Sequence, residues 1–237
     1  MSSPIPDFNP ITDEEKEICE RLQVKLHSEE NILLVNNHVF TITTIMRFLR
    51  GRKGNEERTY RALHKHIQWR YDNNIEHITL QSIENEINAN KLIITGPDKH
   101  TLRPIVTILV RKHNSNRRDI EELKRYIIYN FETAMKLTNP LEEKLIILFD
   151  MTEFTYNNMD YEVLKMIINI LEYNYPESLY RAYILSSPFL FSGCWMVIRP
   201  WLDPVTASKV QFIEKNVLYE YIDKDLVPPE VGHKEGS

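Results

Sequence analysis

The stretch Tyr175–Phe212, YPESLYRAYILSSPFLFSGCWMVIRPWLDPVTASKVQF, decides the fold. The seventeen positions from 182 to 198 carry no charged side chain, although 27% of the whole chain is Asp, Glu, Lys or Arg. The run sits at the short edge of what crosses a bilayer. It is also broken by Ser186-Ser187-Pro188, and proline has no amide hydrogen to give. It therefore reads as two elements: a strand at Tyr183–Leu185 and a helix over Phe189–Ile198, ended by Pro200. In that helix apolar groups sit nearly all round. Two readings stay open. The helix is sandwiched in a core, or it covers a greasy cavity with one face towards a ligand and the other able to touch a membrane.

Working outward, the same alternation continues upstream. Leu145–Phe149 is a continuous apolar run, as expected for a strand buried on both faces. Lys91–Thr95 and Ile105–Val110 read as further strands, and Val210–Ile213 as a last one before a short helix. Asp119–Lys136 and Asp160–Asn174 read as the helices between them. Strands alternating with helices imply a largely parallel sheet covered by helices, with ligands at the carboxyl ends of the strands. The N-terminal part is helical throughout. Thr12-Asp13-Glu14-Glu15 has the capping-box pattern and opens a helix to about His27. Helices follow near Thr43–Arg50, from Asn55, and over Thr79–Asn90. The expected fold class is α/β: an N-terminal helical annex, then a mostly parallel β-sheet covered by helices, with an enclosed apolar cavity as one of the two readings left open for the Phe189–Ile198 helix. The expected division is a disordered tail at 1–10, the annex at 11–78, a ligand-binding domain at 79–233 and a tail at 234–237.

Composition narrows the function. A net charge of −5 does not favour nucleic acid. Only six glycines argues against glycine-rich phosphate loops, and no nucleophile elbow, Walker loop or dinucleotide fingerprint is present. Ser192-Gly193-Cys194 has no base near it in sequence, so no catalytic residue is assigned. Cys19 and Cys194 fit no metal or redox spacing and point to a reducing compartment, the cytosol. No metal site and no cofactor are expected. The opening MSSPIPDFNP lacks the basic start and apolar core of a secretion signal. His64 and His66, two apart on a helix, point to different faces and read as surface or boundary residues. Arg111–Arg118 reads as a solvated basic loop or as a contact for anionic lipid headgroups. Arg47, Arg50, Arg52 and Lys53 form a second basic cluster, open to ordinary salt bridging.

Five motifs, in order, then carry a resemblance. They are Phe48-Leu49-Arg50-Gly51-Arg52-Lys53, Tyr175-Pro176-Glu177, Ser187-Pro188-Phe189, the run Arg199–Lys209, and Leu226–His233. Together they resemble the CRAL-TRIO lipid-binding domain family, which includes phosphatidylinositol transfer proteins. The resemblance implies a lipid-binding and transfer protein, not an enzyme. It implies a monomer that works in the cytoplasm, visits membrane surfaces peripherally, and has a lipid as its partner. The helix after Ser-Pro-Phe becomes a gate with Phe189, Phe191, Trp195, Met196 and Ile198, over a floor that includes Leu145, Ile147 and Ile184. A phosphatidylinositol headgroup set is implied at Arg52, Glu177, Thr206 and Lys209. Leu145 and Ile147 stand where phosphatidylcholine-binding members carry hydroxyls, and apolar side chains cannot donate to a phosphate. That argues against phosphatidylcholine and a two-lipid exchange cycle. The competing reading is an interaction module whose pocket is filled by side chains.

Overall fold

The computed structural model describes residues 7–27 and 40–233. Helix α1 (Asp13–His27) opens on the predicted capping box: the Thr12 amide donates to Glu15 at 3.0 Å and the Glu15 amide to the Thr12 hydroxyl at 3.2 Å. Helices α2 (Ile42–Gly51) and α3 (Glu56–Asp72) are capped by the side chains of Thr41 and Asn55. Cys19, Leu22, Ile45, Phe48, Leu49 and Leu63 interlock to give this annex a core of its own. The helix expected over 79–90 is divided: a 3₁₀ turn at Leu80–Ile83, with the Thr79 side chain accepting from the Ser82 amide, precedes α4 (Glu84–Ala89).

Five strands follow: β1 (Leu92–Thr95), β2 (Ile105–Leu109), β3 (Leu145–Asp150), β4 (Leu179–Leu185) and β5 (Val210–Ile213). They lie in the sheet in chain order; β1 pairs antiparallel with β2 and the rest are parallel. Between them run α5 (Ile120–Met135), α6 (Tyr161–Asn174), α7 (Phe191–Ile198) and α8 (Pro204–Ser208). Parallel crossovers are right-handed, so an order that never reverses places every crossover helix on the same face. That face carries Val106, Leu145, Ile147 and Ile184. The opposite face, with Ile105, Ile146, Leu148, Tyr183 and Leu185, is covered by the C-terminal segment through Leu218, Ile222 and Val231. Arg111 donates to Asp150 at 2.8 Å and to the Glu230 carbonyl at 2.9 Å, and the Gly232 amide donates to Asp150 at 3.1 Å, fastening that segment to the end of β3.

Several expectations change. Residues 7–10, assigned to the tail, are held: the Tyr180 hydroxyl donates to Asp7, and Arg50 to the carbonyls of Asn9 and Pro10. The rest of that tail and residues 234–237 lie outside the described residues. Strand β4 begins at Leu179, not at Tyr183, because its first residues pair with β3 despite the charge on Arg181. His66 is buried; its ring nitrogen Nδ1 sits 3.1 Å from Asn174 Oδ1. In the 111–118 loop Arg111 is bound to Asp150 and Arg118 to Asp160 and Glu162, so two of its four cations are neutralised within the fold, while Arg117 is exposed. Among the described residues no helix is long and apolar enough to cross a membrane.

Candidate functional site

Helix α7, the expected gate, begins two residues later than the sequence suggests. No side chain caps its start, so nothing local marks the boundary; Pro188 and Phe189 form the turn before it. Its apolar groups divide cleanly by position. Phe191, Cys194 and Ile198, at the spacing of one helical face, are buried against Met151, Phe154 and Ile184. Met196 and Val197 face outward, at 73% and 47% exposure, next to Phe189 at 93%. Trp195 lies between these faces, its ring 5.4 Å from that of Phe212.

The open volume is beside this helix rather than beneath its buried face. A cleft of about 410 Å³ at the carboxyl ends of β4 and β5 is lined by Ile184, Ser187, Ser192, Trp195, Phe212 and Glu214, among others. Of the three expected floor residues, Ile184 lines it. Leu145 and Ile147 point to the same face of the sheet but are packed under α5 and α6, with Ile128, Phe131 and Tyr175. Past the gate, Trp201 rests against Tyr161, and Lys165 Nζ lies 4.8 Å from the centre of its ring.

Glu177 and Lys209 come together, with Lys209 Nζ 3.5 Å from Glu177 Oε2. Glu177 has a φ of 57°, a left-handed backbone that non-glycine residues seldom adopt and that recurs at functional sites. The turn is held by Ser178, buried, whose hydroxyl donates to the Tyr175 carbonyl. Thr206 sits one turn before Lys209 in α8, and its amide donates to the Asp203 cap at 3.1 Å. Burial would raise the Asp203 carboxyl, but hydrogen bonds from Thr206 and Val205 hold it below the usual range. Arg52 instead lines a different cleft, between α3 and α6. Of the basic cluster at the end of α2, Arg47 binds Glu143 and the Pro176 carbonyl, and Arg50 binds Glu15. Gly51 permits this junction: a Cβ there would come within 2.9 Å of Pro176 Cβ.

Two features escaped the sequence reading. Lys144 is half-buried just before β3, where the following amide, that of Leu145, bonds the Ser178 carbonyl. Burial lowers its ammonium pKa, and the nearby charges of Lys209 and Arg103 lower it further. It adds a cation beside the Glu177–Lys209 pair, and nothing in the sequence marks it. The second is the row Arg58, Arg61, Lys65 and Trp69 along α3, whose spacing was visible as a single helical stripe. Among the described residues no cluster of His, Cys, Asp and Glu that could hold a metal ion is present.

Comparison with known proteins agrees with this architecture. The CRAL/TRIO domain family matches residues 87–232. A CRAL-TRIO domain-containing protein of Schizosaccharomyces pombe is 35% identical over 79% of this chain and 44% of its own length. A phosphatidylinositol transfer protein of Eremothecium gossypii, CSR1, is 28% identical over 81% of this chain and 47% of its own length. The chain thus spans about half the length of these curated relatives. The crystal structure of Sfh5 superposes with a TM-score of 0.73 at 16% identity, covering 91% of this chain and 85% of that one, which shows the fold. The sheet wound in one direction and the family match over residues 87–232 make this chain a member of the CRAL-TRIO lipid-binding domain family.

Proposed function

We propose that this chain extracts a hydrophobic lipid from a membrane, holds it in the cleft beside the α7 gate, which widens as the gate lifts, and releases it to another membrane. The observation that carries this reading is the two-faced gate, with Phe191 and Ile198 inward and Phe189 and Met196 outward, beside an apolar cleft. Exposing acyl chains to water costs about 0.8 kcal/mol per methylene, so unassisted desorption of a two-chain lipid is very slow. A lidded apolar site replaces that exposure with burial, and lid opening then sets the rate. The outward apolar side chains give the gate a means of lying on a bilayer, so the chain acts peripherally.

The headgroup is assigned to phosphatidylinositol. Lys209, with Lys144 near it, supplies positive charge for a phosphate; Glu177 accepts from inositol hydroxyls or orients Lys209, and Thr206 offers a hydroxyl, whereas Arg52, on the α3–α6 cleft, is left out of the set. Similarity to phosphatidylinositol transfer proteins supports the same headgroup. A transfer assay between donor and acceptor liposomes, across phospholipids, sterols and isoprenoids, tests the function; transfer of no member of the panel would overturn it. Lys209→Ala is expected to reduce phosphatidylinositol extraction roughly tenfold, the weight of one charge-assisted hydrogen bond. Unchanged extraction would remove the headgroup assignment.

One observation favours a second reading, an interaction module with a filled pocket: Met151, Phe154 and Ile184 occupy the space directly under the gate. Native mass spectrometry separates the two. A co-purifying lipid supports transfer, and a bare chain that takes up no lipid from vesicles supports the module.

A further inference from the structure

The α3–α6 cleft has a chemistry unlike that of the gate cleft. Its volume is about 660 Å³, and Arg52, Arg58, Arg61 and Lys65 line it together with the rings of Trp69 and Tyr173. Arg58, Arg61 and Lys65 lie at i, i+3 and i+7 on α3, so their charges share one stripe and repel each other. Arg61 is paired with Glu57, at 3.0 Å. Arg52, Arg58 and Lys65 form no ion pair among the described residues, although Glu172 lies on the opposite wall. Many buried or half-buried arginines of this chain do bind a carboxylate, among them Arg47, Arg50, Arg70, Arg103, Arg111 and Arg118. In this concavity three cations without such a partner, Arg52, Arg58 and Lys65, lie together.

A concave site with an excess of positive charge and partly apolar walls concentrates the field and attracts counter-ions. Guanidinium forks match phosphate oxygens in pairs, and several cations together call for more than one negative charge. The volume is that of a small-molecule site, and aromatic rings offer flat walls for a ring-shaped ligand. We propose that the α3–α6 cleft binds a small, multiply phosphorylated ligand, separately from the lipid under the gate. That chemistry is shared by a soluble phosphorylated polyol and by a phosphorylated lipid headgroup at a membrane surface. The two clefts share no lining residue: the α3–α6 cleft is walled by residues 52–69 and 169–174, the gate cleft by residues 184–196 and 212–214.

The test uses the whole chain and the double variant Arg58→Ala/Lys65→Ala, which leaves Glu177, Thr206 and Lys209 untouched. Isothermal titration with inositol trisphosphate reads the soluble source. Sedimentation with phosphatidylcholine vesicles, with and without phosphatidylinositol bisphosphate, reads the headgroup source. Saturable binding in either arm, weakened at least about tenfold in the double variant and retained in Arg58→Lys/Lys65→Arg, is the expected result. Binding in the vesicle arm alone assigns the site to a headgroup. Saturable binding in neither arm, equal binding by wild type and double variant, or complete displacement by sulfate at matched ionic strength would overturn the proposal. Phosphatidylinositol transfer by the double variant should match wild type, so this proposal and the gate reading fail separately.

Discussion

The annex junction and the gate are both interfaces with the sheet domain, yet they are built from different forces. At the junction, Arg47 binds Glu143 at 2.8 Å and the Pro176 carbonyl at 2.9 Å, Arg70 binds Glu132 at 2.9 Å, and His66 meets Asn174. These groups are buried and directional, and separating them leaves charges without partners. The buried face of the gate is apolar contact, Phe191, Cys194 and Ile198 packing on Met151, Phe154 and Ile184. Apolar contact has no preferred direction and is proportional to area removed from water. A lipid chain or a bilayer can therefore substitute for the floor when the gate lifts, whereas no lipid can substitute for Glu143. The contrast fits the proposed function, which needs one appendage fixed and the other able to lift.

The largest expected effect tests the fixed side. Arg47→Ala leaves Glu143 and the Pro176 carbonyl unpartnered in a buried junction, and should cost about 3–5 kcal/mol in urea unfolding. A loss below about 1 kcal/mol, the range of exposed pairs, would erase the distinction drawn here. Acid probes the same annex more gently. The hydrogen-bonded Arg50 guanidinium holds the Glu15 carboxyl down to about 2, against an ordinary value of 4.5. Because the folded value is the lower one, stability from this pair is complete above pH 4.5 and is lost as pH falls towards 2. Wild type should weaken across that window relative to Glu15→Gln by circular dichroism, and parallel acid curves would contradict the assignment.

Smaller effects belong to the gate. Gly193 is exposed, and a Cβ there meets nothing within 4 Å, so Gly193→Ala should stabilise α7 by roughly 1 kcal/mol and slow lipid transfer without altering the ligand. Faster transfer would mean that α7 does not open as a rigid helix. Phe189→Ser should change the unfolding midpoint by less than about 0.5 kcal/mol, because Phe189 is 93% exposed, while reducing adsorption to vesicles. Equal adsorption would show that another surface meets the membrane.

Much of the fold was legible because helix starts carry chemistry. Thr12, Asn55, Asp119 and Asp160 each cap the helix that the sequence placed after them. The gate boundary was misplaced for the same reason, since Leu190 offers no cap. The site was less legible. Glu177 and Lys209 meet, but Arg52 opens on the cleft between α3 and α6, and Leu145 and Ile147 lie under α5 and α6 instead of under the gate.

The sequence by itself determined the alternation of elements, the uncharged run that becomes β4 and the gate, and the membership of the family, because periodicity, caps and motif order are local properties of a chain. Only the tertiary structure decided which side of α7 turns inward, which arginines are neutralised, and where unpaired charge collects. Those depend on partners distant in the chain: Glu143 for Arg47 and Asp150 for Arg111, and for Arg58 and Lys65 no carboxylate within ion-pair reach among the described residues. Burial and pairing are set by the three-dimensional neighbourhood, and no spacing along the chain encodes it.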